Sequence, residues 1–195
     1  MSLAKKLATV PQTVPQFFPF EIPSLGVVMD YGDFSTTLRF IEKHHDRIFD
    51  SAPTDHFFQE PMTDKKEAFL RDKTDHFLFQ KEGSVMGVVM GNPIDWCSYY
   101  VRYCAFEERF QKLGIVQHSF PVLIDYISSM GFQQIEIDVS PSNHPQIQVM
   151  NRTGFVITGQ FNSEKWGSLL RFTKYIDTQR QKTFLRIFTQ GKGDL

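Results

Sequence analysis

The run from Tyr99 to Phe155 constrains the fold most, because its hydrophobic period switches from that of a strand to that of a helix and back again. Tyr99 to Phe106 is a β-branched and aromatic stretch of strand length. Further on, Ile115, Phe120, Leu123, Ile124, Ile127 and Met130 recur at helical spacing. Gly131 follows the last of these, where a left-handed residue ends a helix at least cost. Ile135, Ile137 and Val139 then alternate with Gln134, Glu136 and Asp138, a period of two that predicts a strand with one polar face. A second helix opens near Asn143. The unit reads β-turn-α-β-α.

The turn at 111–116 carries the chemistry. A glycine there, Gly114, lets the backbone bend sharply between strand and helix. The first amides of the helix have no partner within it and point in front of the turn. With the helix dipole behind them they favour an anion, most simply a phosphate or pyrophosphate. A glycine kept for geometry alone is the alternative reading of the same residue.

Composition bounds the function classes. At 195 residues, 41% hydrophobic and 22% charged, the chain can bury a core without disulfides or metals. A net charge of -1 gives no bulk attraction to nucleic acid or to an anionic membrane, and no basic stripe or zinc spacing is present. Twenty phenylalanines read as an aromatic core or as the lining of an acyl pocket. Two cysteines, Cys97 and Cys104, do not make a secreted scaffold. No apolar run approaches the ~20 residues of a membrane span, and the start of the chain lacks the apolar core of a signal peptide. The expected location is therefore the cytoplasm.

Three segments are expected: an arm at 1–23 rich in proline and phenylalanine, one domain at 24–176, and a polar tail at 177–195 anchored by Phe184, Leu185, Ile187 and Phe188. The arm is expected to lie extended on the domain. Leu25 to Met29 reads as a strand, and Asp33 or Ser35 can cap a helix carrying Leu38, Phe40, Ile41 and Ile48. His44, His45 and Asp46 are neighbours on that helix and point to different faces, so they read as a solvated end and no metal is expected. A helix is expected over 64–71, then two strands, His76–Gln80 and Val85–Met90, joined by a hairpin at Lys81-Glu82-Gly83-Ser84. Val156–Phe161 and Leu169–Ile176 close the sheet.

The segment Gln111-Lys112-Leu113-Gly114-Ile115-Val116 resembles the pyrophosphate loop of the GCN5-related N-acetyltransferase (GNAT) superfamily, with Val116 where a small residue is usual. Val139-Ser140-Pro141-Ser142-Asn143 followed by Gly154-Phe155 is similar to that family's second signature, and the interval resembles the RimJ and RimL branch. Gln146 departs from the small residue of that branch, and Met150 stands where other branches have a tyrosine. The match covers 75–176. It implies an α/β fold with a mixed, mostly antiparallel sheet of six or seven strands, splayed where a coenzyme enters, and helices on both faces.

The resemblance implies acetyl transfer from acetyl-coenzyme A to an amine, with no metal. The amides from Lys112 through Leu113, Gly114 and Ile115 to Val116 would carry the pyrophosphate, Gln111 offering a neutral amide where arginine is frequent. Backbone groups of Cys104, Ala105 and Phe106 would pair with the pantetheine arm as if it were an added strand. Asn143 would contact the pantetheine amides or an ordered water, with a helix cap as its other reading. Glu107 is the candidate base, through water, with Glu108, His118 and His144 as further options; exposed turn charge is the other reading of both glutamates. Asp55, His56 and Glu60 are candidates for acceptor contact. Two other functions stay open: a non-catalytic acyl-coenzyme A-binding module, and a transferase of longer acyl chains. The acceptor can be a protein N-terminus or a small amine, and the chain can be a monomer or a homodimer.

Overall fold

The computed structural model describes residues 14–48, 63–164 and 166–189. In chain order these form α1 (Val14–Phe17), β1 (Phe20–Ile22), β2 (Val27–Tyr31), α2 (Phe34–Ile48), α3 (Asp64–Lys73), β3 (Asp75–Lys81) and β4 (Ser84–Pro93). Then follow β5 (Ser98–Phe106), α4 (Ile115–Ser129), β6 (Gln134–Val139), α5 (His144–Arg152), β7 (Val156–Ser163), β8 (Gly167–Tyr175) and α6 (Thr178–Thr189). One eight-stranded sheet runs β1-β2-β3-β4-β5-β6-β8-β7. Its pairs are antiparallel except β5 with β6, which is parallel.

The strand number exceeds the six or seven expected because the arm supplies one. Phe20–Ile22 pairs with Val27–Met29, and Phe18 is buried beside the rings of Phe77 and Tyr126. The stretch before it is a helical turn, not extended chain. The polar tail likewise forms a helix, α6, whose Phe184 ring packs against Tyr175.

Local signals formed the elements they announce. Asp33 Oδ1 accepts from the Thr36 amide at 2.9 Å, capping α2. Glu82 and Gly83 both take positive φ, 51° and 76°, the mirror-image turn whose twist suits a two-residue hairpin. Gly131, at φ 90°, follows α4.

Each sheet face has its own cover. Phe77, Phe79, Val101, Ile135 and Ile137 pack with Phe120, Leu123 and Ile127 of α4 and Met150 of α5. Leu78, Val88 and Ala105 turn the other way, onto Phe40 of α2. Nine phenylalanines among the described residues are buried, so much of the aromatic excess is core.

A bulge in β5 sets which side chains face where. Opposite β4 the register steps from Met90↔Tyr103 to Gly91↔Val101, leaving Arg102 as the extra residue. An uninterrupted strand would place Tyr99, Val101, Tyr103 and Ala105 on one face. Instead Tyr99 and Val101 share the α4 side with Cys104 and Phe106, while Tyr103 and Ala105 turn to α2. Among the described residues no helix is long and apolar enough to cross a membrane.

Candidate active site

The parallel strands β5 and β6 open into a fork. They pair only from Ser98–Tyr100 to Gln134–Glu136. Beyond that point β5 stays paired to β4 as far as Phe106, and β6 stays paired to β8 as far as Val139. The inner edges of both strands therefore face an opening while their outer edges are held.

The backbone on the β5 side of the fork follows from one hydrogen bond. The Glu107 amide donates to Met86 O at 2.9 Å, toward β4. Alternate residues of a strand turn their amide and carbonyl to opposite edges. Phe106 and Cys104 thus direct theirs into the fork. Ala105, in register with Val88, directs its own toward β4 and so does not line the edge, contrary to expectation. The Cys104 thiol is pushed up to about 12 by burial, so it stays protonated at neutral pH and is packing, not a nucleophile.

At the mouth of the fork a short 3-10 turn, Glu108–Phe110, leads into the bend before α4. Lys112 and Gly114 take positive φ, 62° and 78°, and Gly114 caps the helix with no side-chain hydrogen bond. Among the described residues no acceptor meets the amides of Lys112, Leu113, Gly114, Ile115 and Val116. Such a concavity of free N–H groups at a helix start binds anions. Val116, where the resemblance implies a small residue, is partly buried and packs against the core.

Two expected site residues have other partners. Gln111 Nε2 donates to Phe106 O at 3.1 Å, bracing the bend on the strand end, so its amide is already engaged. Asn143 caps α5, its Oδ1 accepting from the Gln146 amide at 3.1 Å, which is the alternative that its position after a strand allowed. Met150 is fully buried in the core and has no group to give a proton.

Glu107 is not a simple exposed charge. Its side chain is 17% exposed, with Oε1 3.6 Å from His44 Nε2 and Oε2 2.9 Å from Arg109 Nε. His44 is buried, its ring centroid 4.6 Å from that of Phe40, where the sequence predicted a solvated helix end. Adjacent-residue reasoning ruled out a shared metal but could not see that this one position faces the sheet. Glu108, His118 and His144 are exposed. Asp55, His56 and Glu60 lie outside the described residues. Among the described residues no three His, Cys, Asp or Glu side chains are grouped to hold a metal.

Sequence reasoning missed a polar network at the base of the fork. Tyr100 donates its hydroxyl to Asp138 Oδ2 at 2.8 Å, across the point where β5 and β6 separate. Arg171 of β8 grips Asp138 with Nε at 2.9 Å and NH2 at 3.0 Å, and its NH1 lies 3.1 Å from Glu136 Oε2. Gln134 donates to Glu136 Oε1 at 2.9 Å. Burial, and then the hydrogen bond to Asp138, hold the Tyr100 phenol well above its usual range. The signal was present as the polar alternation of Gln134, Glu136 and Asp138; what it faces depends on β5 and β8.

Known proteins resemble this chain in sequence and in fold. The model of the acetyltransferase (GNAT) family matches residues 41–155. No protein of curated function matches the sequence. Among solved structures, the acetyltransferase that modifies the N-terminal serine of 50S ribosomal subunit protein L7/L12 from Salmonella typhimurium is similar, with 16% identity over 78% of this chain and 96% of that one, and TM-score 0.59. The spermidine/spermine N-acetyltransferase SpeG from Vibrio cholerae has 15% identity over 82% and 98%, with TM-score 0.58. A GNAT family acetyltransferase from Elizabethkingia anophelis with acetyl-CoA bound has 13% identity over 77% and 99%, with TM-score 0.55. With its fork, its open helix start and a family match over more than half its length, the chain belongs to the acetyltransferase (GNAT) family.

Proposed function

We propose that this chain transfers an acetyl group from acetyl-CoA to a primary amine by direct attack in a ternary complex. One observation carries the reading: an opening between two otherwise well-paired strands, with unpartnered amides of Lys112 to Val116 at its mouth. A pyrophosphate suits those amides, and the amide-bearing pantetheine arm suits the inward edge of Cys104 and Phe106 as an added half-strand, the Phe106 carbonyl being shared with Gln111. Transfer then needs a neutral amine, a donor for the developing oxyanion and a route for the proton. An inward amide of β5 serves the oxyanion. Glu107, paired with His44, is the carboxylate beside the mouth.

A ribosomal protein N-terminus and a polyamine are the acceptors named for two similar structures, and both are primary amines. The two free cysteines fit a cytoplasmic location. Titration with acetyl-CoA followed by thiol release over a library of amines and N-terminal peptides tests the reading. Micromolar binding with amine-dependent thiol release is expected. No binding of acetyl-CoA overturns it.

A second reading, a module that binds acyl-CoA without turnover, is favoured by the engagement of Gln111 and Asn143 and by the buried Met150. Thermal stabilisation by acetyl-CoA with no thiol release on any amine would select it.

A further inference from the structure

If the chain transfers acetyl groups as proposed, with the pyrophosphate at the mouth and the pantetheine arm along Cys104 and Phe106, the thioester lies toward the base of the fork, and the proton leaves the amine there, away from Glu107. The α4 side of that region is closed: Val101, Ile137, Val139, Met150 and Phe172 are buried there. An acceptor can approach only from the other face. On that face Phe40 of α2 covers only Leu78, Val88 and Ala105, on β3 to β5. Where β5, β6 and β8 run side by side, the same face carries Tyr100, Glu136, Asp138 and Arg171 instead.

We infer that Tyr100 and Asp138 form the proton relay of the transfer, Tyr100 being the catalytic residue that meets the reacting amine and the leaving sulfur. Tyr100 stands at the last paired position of β5, in register with Glu136, and its hydroxyl spans to Asp138 on the diverging strand. Its oxygen keeps lone pairs for the substrate while its proton is already directed at a carboxylate. Arg171 holds that carboxylate with two hydrogen bonds, so its orientation is fixed before substrate arrives. Arg102, the bulge residue, bonds to Asn92 with its guanidinium 5.6 Å from the centre of the Tyr100 ring, and Tyr100 itself is partly exposed.

The step balances without a further reagent. The free amine nitrogen bonds to the thioester carbonyl carbon, and an N–H proton passes to the Tyr100 oxygen as the phenolic proton passes to Asp138. Collapse breaks the C–S bond, the protons run back, and sulfur leaves as the thiol. Amine and thioester become amide and thiol, and the relay is restored. Burial keeps the phenol protonated at neutral pH, so both transfers run through a neutral hydroxyl, and the proton that reaches sulfur is replaced from Asp138.

The test compares Tyr100→Phe, Asp138→Asn and the double variant by acetyl-CoA titration and by single-turnover thiol release. Each single change is expected to lower the rate constant roughly 100-fold with acetyl-CoA affinity unchanged. Because the two act as one unit, the double variant should lose little more than the slower single one. Wild-type rates in Tyr100→Phe, or losses that multiply in the double variant, overturn the relay. A proton inventory on the unaltered protein needs no variant to fold: a curved plot is expected from two protons in flight, and a linear plot overturns the proposal. Absence of thiol release from the unaltered protein on every amine removes the transferase reading itself, and the relay with it.

Discussion

Gly114 offers the sharpest test of the anion-binding bend. Its φ is 78°, and a Cβ added there would meet only Gln117 Oε1 at 3.6 Å and His118 Cδ2 at 3.9 Å. Those are ordinary contacts, so a side chain fits and only the backbone conformation resists it. Left-handed backbone costs an L-residue roughly 1–2 kcal/mol, less for asparagine and more for a β-branched residue. Gly114→Val should therefore relax the bend and swing the amides of Leu113 and Ile115 off their common target. Losing two hydrogen bonds to a charged group, at roughly 1.5–3 kcal/mol each, amounts to about 3–6 kcal/mol. That weakens the acetyl-CoA Kd by roughly 10²- to 10⁴-fold. Gly114→Asn, which tolerates the same φ, should stay within about tenfold of the unaltered chain. Calorimetric titration with acetyl-CoA, beside thermal unfolding to confirm that both variants fold, measures the difference. Equal affinity for all three proteins, or equal loss in Val and Asn, would refute the argument.

The remaining predictions concern the frame. Asp75 accepts hydroxyls from Tyr31 at 2.5 Å, Tyr99 at 2.7 Å and Tyr126 at 3.4 Å. Asp75→Ala strands at least two buried hydroxyls at about 1–3 kcal/mol each, so denaturant unfolding should show a loss of about 2–6 kcal/mol; under 1 kcal/mol contradicts it. The same tyrosines are held neutral, by burial first and by the Asp75 charge second, with values above the ordinary tyrosine pKa of about 10. Their contribution is complete below that pH and is lost as pH climbs through and beyond it, so the urea midpoint should fall between about pH 9 and pH 11. A midpoint that holds steady over that interval would count against the cluster. Pro121 lies inside α4 with an exposed side chain and denies the Gln117 carbonyl its donor. Pro121→Ala should stabilise by about 1–3 kcal/mol, seen as a higher Tm, and an unchanged or lower Tm would show that the helix has already adapted.

The order of strands and helices from Tyr99 to Phe155 was legible in the sequence, because period two and period 3.6 are local properties of side-chain direction. So were the hairpin at Gly83, the sharp bend at Gly114 and the left-handed helix end at Gly131, where a backbone without a Cβ takes positive φ at least cost. The open amides before α4 follow from the start of any helix, and the bend was recognised by its residues alone. Tertiary structure decided the rest. The bulge at Arg102 reverses which residues of β5 face α2, and a one-residue insertion in a ladder exists only relative to the partner strand. Asp138 meets Tyr100 and Arg171 across strands far apart in sequence, and His44 finds Glu107 across the α2 face of the sheet. Local periodicity sets how each segment folds and which way its side chains alternate. Which polar groups then face one another is set by register and crossover, and no single segment contains that information.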